Sequence, residues 1–295
     1  MTSTPMLSTP NRRRRLALAG FGLTAGLGPL SWRGARASTL PSTSATLPTL
    51  RLAGTASGTG GLALLGTAYQ RAHPGLAIDL LPAMGNAGGI RALIDGRADI
   101  AVSHRMPTLA ERARAPLVAM PYARTPFVLA VQHALGIERI GIDELAALYG
   151  QPAPTFANGR RARPVLHLAD ALDTDLLRSM SPAVARALDD AAARCGTLDA
   201  TTDAECADLI ERTPGAFGPS TLALIDSELR PLRALVIDDF PPPTPEHVTS
   251  GRYPWSKPML LVHAGDPPPA VEAFVDFVCS SGARRLLAMA GHCTS

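Results

Sequence analysis

Four stretches of this sequence combine small hydroxyl residues, glycines and polar tips in patterns suited to holding a small anion. The first is Gly54-Thr55-Ala56-Ser57-Gly58-Thr59-Gly60-Gly61. Placed between a strand and a helix, its successive backbone N–H groups face one concavity at the positive end of the helix dipole. Thr55, Ser57 and Thr59 add hydroxyl donors. The second stretch, Gly85-Asn86-Ala87-Gly88-Gly89, has the same setting. The third, Ser103-His104-Arg105, supplies a hydroxyl, a two-sided guanidinium fork, and an imidazole that donates or accepts according to its tautomer. The fourth runs from His167 through Asp170 and Asp173-Thr174 to Asp175, where a strand ends and a helix begins. Asp173 is the expected N-cap there, with the Thr174 and Asp175 amides turned to the cleft. Its acids repel an anion unless they cap helices or accept a ligand proton. Capping is the reading for Asp170 and Asp175.

Other chemistries find less support. Neither glycine stretch has the G-x-G-x-x-G spacing of a dinucleotide turn or the G-x-x-x-x-G-K-[ST] phosphate loop. No G-x-S-x-G elbow and no H-E-x-x-H helix occurs, and His73, His133, His247, His263 and His292 are scattered. We therefore expect no catalytic residue, no cofactor and no metal. Cys195, Cys206, Cys279 and Cys293 show no metal-ligand spacing. In an exported chain they are expected to pair locally, Cys195 with Cys206 and Cys279 with Cys293, the second pair needing a helix break at Ser280-Ser281-Gly282.

The elements that must position these stretches alternate strand and helix. The pattern predicts a strand over 50–53, a glycine turn over 54–60, and a helix over 61–72 with Leu62, Leu65 and Tyr69 on one face. A strand over 76–82, a second turn, a short helix over 90–95 and a strand over 99–103 follow. This β-α-β-α-β order argues for an α/β fold with a parallel, doubly wound sheet. The first three stretches then reach one carboxyl edge, where open sheets of this kind bind ligands. Strands over 126–131 and 258–263 read as crossovers. Between them lies a second set: helices over 143–149, 174–180, 182–194 and 203–212, and strands over 163–168, 197–200 and 232–237. Helices over 268–278 and 282–290 close the chain.

The first 37 residues read as an export signal. Arg12-Arg13-Arg14-Arg15 precede an apolar run from Leu16 to Leu30, and Ala35-Arg36-Ala37 supplies a small-x-small cleavage pattern. The arginines fit either a twin-arginine or a general secretory signal. Residues 38–49 read as a flexible leader. The segment removed holds six arginines and no acid. Of 28 basic residues, 22 then remain against 25 acidic ones, a net of −3. A basic footprint for nucleic acid is thus absent. The chain has one lysine, Lys257, which we read as composition bias. The remaining 258 residues permit two lobes.

At these residues the chain resembles the periplasmic phosphate-binding proteins of ABC importers, within the type II periplasmic binding-protein fold. Residues 50–58 look like the family's first anion loop, Gly85–Ile90 like its second, and Asp99–Ser103 like the strand to its third contact. Thr213–Gly218, Pro243–Val248 and Gly251–Pro254 resemble its later segments. The family commonly has a proton-accepting Asp where this chain has His104. Its second-lobe loop often carries an Arg and a Ser-Gly-Thr run near the places of His167 and Asp173-Thr174.

The resemblance implies a two-lobed fold with lobe 1 over 50–125 plus 257–295, lobe 2 over 126–256, and hinges near Thr125-Pro126 and Lys257-Pro258. It implies an exported, periplasmic, monomeric binding protein that hands phosphate to an ABC permease. Thr55, Ala56, Ser57, Gly58, Gly85, Asn86, Ala87, Gly88, Ser103, His104, Arg105, His167, Asp173 and Thr174 are the ligand contacts it points to. Sulfate, molybdate or tungstate is the alternative ligand, and a sensory or secretion-linked accessory protein the alternative role.

Overall fold

The protein is described by a computed structural model covering residues 47–168 and 171–294. The expected signal, the leader up to residue 46 and Asp170 lie outside the described residues. Ordered structure begins with β1 (Thr49–Gly54), so the strand takes the last residue of the expected leader. The elements that follow are α1 (Ala56–Ala72), β2 (Ala77–Leu80), α2 (Gly85–Ile94), β3 (Ile100–Ser103), α3 (Leu109–Arg114), β4 (Leu117–Gln132), β5 (Arg139–Ile140), α4 (Ile142–Gly150), β6 (Arg163–His167), α5 (Leu172–Met180), α6 (Pro182–Ala192), β7 (Leu198–Ala200), α7 (Asp203–Arg212), β8 (Ala216–Thr221), α8 (Leu222–Ser227), β9 (Leu232–Ala234), β10 (Val236–Ile237), α9 (Pro245–Thr249), β11 (Ser256–Ala264), α10 (Pro269–Val278) and α11 (Ser281–Met289).

One sheet runs in the order β2-β1-β3-β11-β4-β8-β6-β7, with β9 also on β4. β1 is parallel to β2 and β3, and β6 is parallel to β7 and β8. The long strand β4 joins the two parallel sets. Its first part, to Pro126, pairs antiparallel with β11, and Phe127 onward pairs with β8 and β9. Thr125, opposite Lys257, stands where β4 changes partners. Two apolar cores follow this division. Leu52, Leu62, Ile100, Leu261 and Phe274 build one, and Phe127, Tyr149, Leu177, Phe217 and Trp255 the other. Among the described residues no helix is long and apolar enough to cross a membrane.

Both glycine-rich stretches fold differently from the turns expected of them. α1 starts at Ala56 and α2 at Gly85, so most of their glycines lie inside the first helical turns. Close packing explains their presence. A Cβ on Gly89 would lie 2.7 Å from Gly54 Cα, and one on Gly58 would lie 2.3 Å from Val102 Cγ1. The glycines let α1 and α2 sit against the ends of β1 and β3, which outweighs their low helix propensity.

Several elements were not anticipated: α3, the first part of β4, β5, β8, α8 and α9. The expected strand over 232–237 divides, β9 pairing with β4 and β10 with β5. The four cysteines carry free thiols, which corrects the expected pairs. Cys206 is interior and its Sγ donates to Pro219 O at 3.2 Å, whereas Cys195 is on the surface. Cys279 is exposed and Cys293 buried. The helix break between them is present, with Ser280 capping α11 through Ala283 N–H at 3.2 Å.

Candidate functional site

The ends of β1 and β3, the start of β11 and the starts of α5 and α7 bring a buried polar cluster together. Its centre is the carboxylate of Asp203, the first residue of α7. The side chain of Thr55, the residue before α1, makes no capping bond to its own helix. Its Oγ1–H donates instead to Asp203 Oδ2 at 3.0 Å. Ser57 Oγ–H, in the first turn of α1, donates to the same oxygen. His104, after β3, brings Nε2 within 3.2 Å of it. Lys257 Nζ donates to the other oxygen, Oδ1, at 2.9 Å.

Lys257 also donates to both oxygens of Asp173, at 2.9 and 2.8 Å. The three N–H bonds of an ammonium thus meet three carboxylate oxygens, at a residue only 1% exposed. Burial opposes the charge, but Asp173 and then Asp203 outweigh it and raise the Lys257 pKa above its ordinary value. Burial likewise opposes ionisation of Asp203. Lys257, then His104 and Ser57, overcome that and hold the carboxyl well below the usual range. Both ring nitrogens of His104 face acceptors, Nδ1 lying 2.7 Å from Pro258 O. A carbonyl oxygen only accepts, so Nδ1 carries a proton. Nε2 must carry one too when it faces an ionised carboxylate. The geometry therefore calls for an imidazolium, and two cations balance two carboxylates in the cluster.

Asn86 holds the third contact in place. Its Oδ1 accepts from His104 N–H at 2.8 Å and lies 3.3 Å from Ser103 Oγ, whose shorter bond, at 2.8 Å, is the one donated to Arg105 O. Ser103 Oγ also accepts from Arg105 N–H at 3.1 Å. Arg105 grips Glu111 through two bonds of 2.8 Å. Its guanidinium thus faces α3 rather than joining the Asp203 contacts, a departure from the expected inward charge. The acid three residues after Thr108, which caps α3 reciprocally, attracts it.

The other expected contacts divide. Ala56 is packed with Val128 and Leu224, and Gly58 N–H is bonded to Thr55 O at 3.0 Å within the helix start. Gly85 has a positive φ of 70° at the start of α2, Gly88 is half-buried beside Met84, and Ala87 is exposed. Ala171, not Asp173, precedes α5, so Asp173 is a helical residue free to turn to Lys257. Thr174 N–H and Oγ1–H are bonded to Ala171 O and Leu168 O.

His167 is buried along its side chain, with Nε2 4.0 Å from Asp203 Oδ1. Neither of its ring nitrogens has a hydrogen-bond partner among the described residues. His167, Asp173 and Asp203 are of metal-ligating type and lie close enough to share an ion. Between the two carboxylates, however, the Lys257 ammonium already supplies the positive charge.

Two members of the cluster, Asp203 and Lys257, are not among the expected contacts. Lys257, as the only lysine of the chain, was the available signal. Ser57 and His104 both point their protons at one oxygen of Asp203, so His104 has no free lone pair to take the Ser57 proton. What the arrangement does is concentrate hydroxyl, imidazolium and ammonium donors on a single carboxylate.

The family model described as the PBP superfamily domain matches residues 40–281. No curated protein sequence matches the chain. Among solved structures, a Clostridium perfringens ABC-transporter protein with bound phosphate is similar at 16% identity and a TM-score of 0.68. The match covers 84% of this chain and 99% of that one. An ABC-type phosphate transport receptor from Vibrio cholerae is 19% identical with a TM-score of 0.52, covering 84% and 100%. PEB3 of Campylobacter jejuni, bound to L-phospholactate, is 10% identical with a TM-score of 0.56, covering 83% and 100%.

Proposed function

The chain belongs to the PBP superfamily of solute-binding proteins, and on that premise we propose that it captures a tetrahedral oxyanion, phosphate first, for an ABC importer. One observation carries the reading: Thr55, Ser57, His104 and Lys257, from three separate parts of one sheet edge, all donate to one carboxylate. Donors that hold a carboxylate in the absence of bulk water suit an oxyanion equally, because both present charged oxygens with lone pairs. The similar proteins solved with phosphate or phospholactate support phosphate within that class.

In this reading the halves of the sheet are the two lobes, 50–125 with 257–295 and 126–256. They hinge where β4 and β11 face each other at Thr125 and Lys257. Closure brings α5 and α7 onto the donors of α1 and β3 and expels water. The protein then acts outside the cytoplasmic membrane as a monomer, docks on a permease and performs no catalysis. Solution binding decides the ligand. Purified protein stripped of bound anions is titrated with phosphate, sulfate, molybdate and tungstate and followed by calorimetry. Saturable binding of phosphate, lost in Thr55→Ala/Ser57→Ala, is expected. Failure of all four to bind would remove the reading.

A further inference from the structure

The donors that suit a solute anion already hold one that belongs to the chain. Asp203 lies at the β7–α7 junction, in the part of the sheet carrying β6, β7 and β8. The groups that hold it, Thr55, Ser57 and His104, lie at the ends of β1 and β3. The contact therefore ties one half of the sheet to the other. It is also mutually exclusive with an external ligand. A hydroxyl has one proton to donate, and the protons of Thr55 and Ser57 are both committed to Asp203 Oδ2.

Charge balance leads to the same view. With Asp203 in place, Lys257 and His104 are matched by Asp173 and Asp203. When Asp203 leaves, Lys257 keeps both bonds to Asp173, and the cluster gains one uncompensated positive charge. An entering oxyanion supplies the charge that Asp203 removes. We propose that Asp203 is a built-in competing ligand that latches the two halves together and must be displaced by the solute anion. The latch rests on the oxyanion reading for its competition, but its effect on shape does not.

The latch lowers apparent affinity, because only the fraction of molecules with Asp203 withdrawn can bind. The test compares the wild type with Asp203→Ala and Asp203→Asn, each checked for cooperative melting, by small-angle scattering and by calorimetry with inorganic phosphate. Ligand-free wild type should scatter as this structure does. Ligand-free Asp203→Ala should have a larger radius of gyration and contract on adding phosphate. Its phosphate affinity should exceed that of the wild type by about tenfold or more.

Equal affinity and superimposable scattering of folded wild type and variants would overturn the latch while leaving the oxyanion reading intact. An expanded Asp203→Ala that binds no phosphate would support the latch and defeat phosphate as the ligand. Should neither variant fold, scattering of the ligand-free wild type decides. Agreement with this structure supports the latch, and a more open shape overturns it.

Discussion

The Lys257 ammonium lies 2.9 Å from Asp203 Oδ1 and 2.8 Å from Asp173 Oδ2, so one buried cation joins the first turns of two helices. Lys257 sits on β11 opposite Thr125 of β4, at the passage between the two halves of the sheet. One of the two cations of the cluster thus stands at the proposed hinge.

Removing that cation should be costly. Lys257→Met leaves Asp173 without a counter-charge and Asp203 with His104 alone, and breaking such a buried pair typically costs about 3–5 kcal/mol. Urea unfolding of the variant should show a loss of this order. A change below about 1 kcal/mol would mean that the carboxylates find water or another partner when the lysine is gone.

Acid should destabilise the protein in two separate steps. Burial, with a smaller push from His104, holds His292 down to about 4 from an ordinary 6.5. The unfolded chain therefore takes up this proton first. Stability from His292 is complete above about 6.5, falls through the interval, and is lost below about 4. The difference corresponds to something on the order of 3 kcal/mol. Asp203, whose pKa is depressed, contributes above its ordinary carboxyl value and loses that contribution only as pH falls further. Unfolding measured between pH 7 and 4 should slope downward in the wild type and flatten in His292→Leu, with a further fall below pH 4 in both. Parallel profiles for wild type and variant would place the acid sensitivity elsewhere.

How far the sequence revealed this site depends on the range of the interactions. Thr55, Ser57 and His104 were legible because each follows a strand in a β-α unit, and that order alone sends them to one sheet edge. Asp203 was hidden by an ordinary local role. After Thr202, whose Oγ1 caps α7 by accepting from Glu205 N–H at 3.2 Å, an acid in the first turn is what any helix start favours. Lys257 was hidden because its meaning depends on β11 pairing with β3 and β4, segments more than a hundred residues upstream. The capping box at Thr108 and Glu111 stands in the sequence but was passed over, so neither α3 nor its hold on Arg105 was expected. The helix starts were misjudged because glycine weakens an isolated helix, while here it permits contact between backbones.

The α3 cap should matter modestly. Glu111 is held at about 2, first by its bonds to Arg105, with burial opposing and Thr108 assisting. Glu111→Ala removes the reciprocal cap, and caps are worth about 1 kcal/mol. A lowered urea midpoint with an unchanged slope is the expected signature, and a midpoint equal to that of the wild type would assign the cap no net value.

The glycines should be less tolerant than their helical setting suggests. Gly89→Ala raises intrinsic helix propensity, yet its Cβ meets Gly54 Cα at 2.7 Å. Overpacking against backbone should win and destabilise by about 1–3 kcal/mol. A stabilised variant in thermal unfolding would show that α2 can move away from β1 at little cost.

The most direct measurement of the central claim is a crystal structure of the protein grown with saturating phosphate. The account predicts phosphate oxygens within hydrogen-bond distance of Thr55 Oγ1, Ser57 Oγ and His104 Nε2, with the Asp203 carboxylate withdrawn and Lys257 still on Asp173. Phosphate bound elsewhere, with Asp203 still held by Thr55 and Ser57, would contradict it.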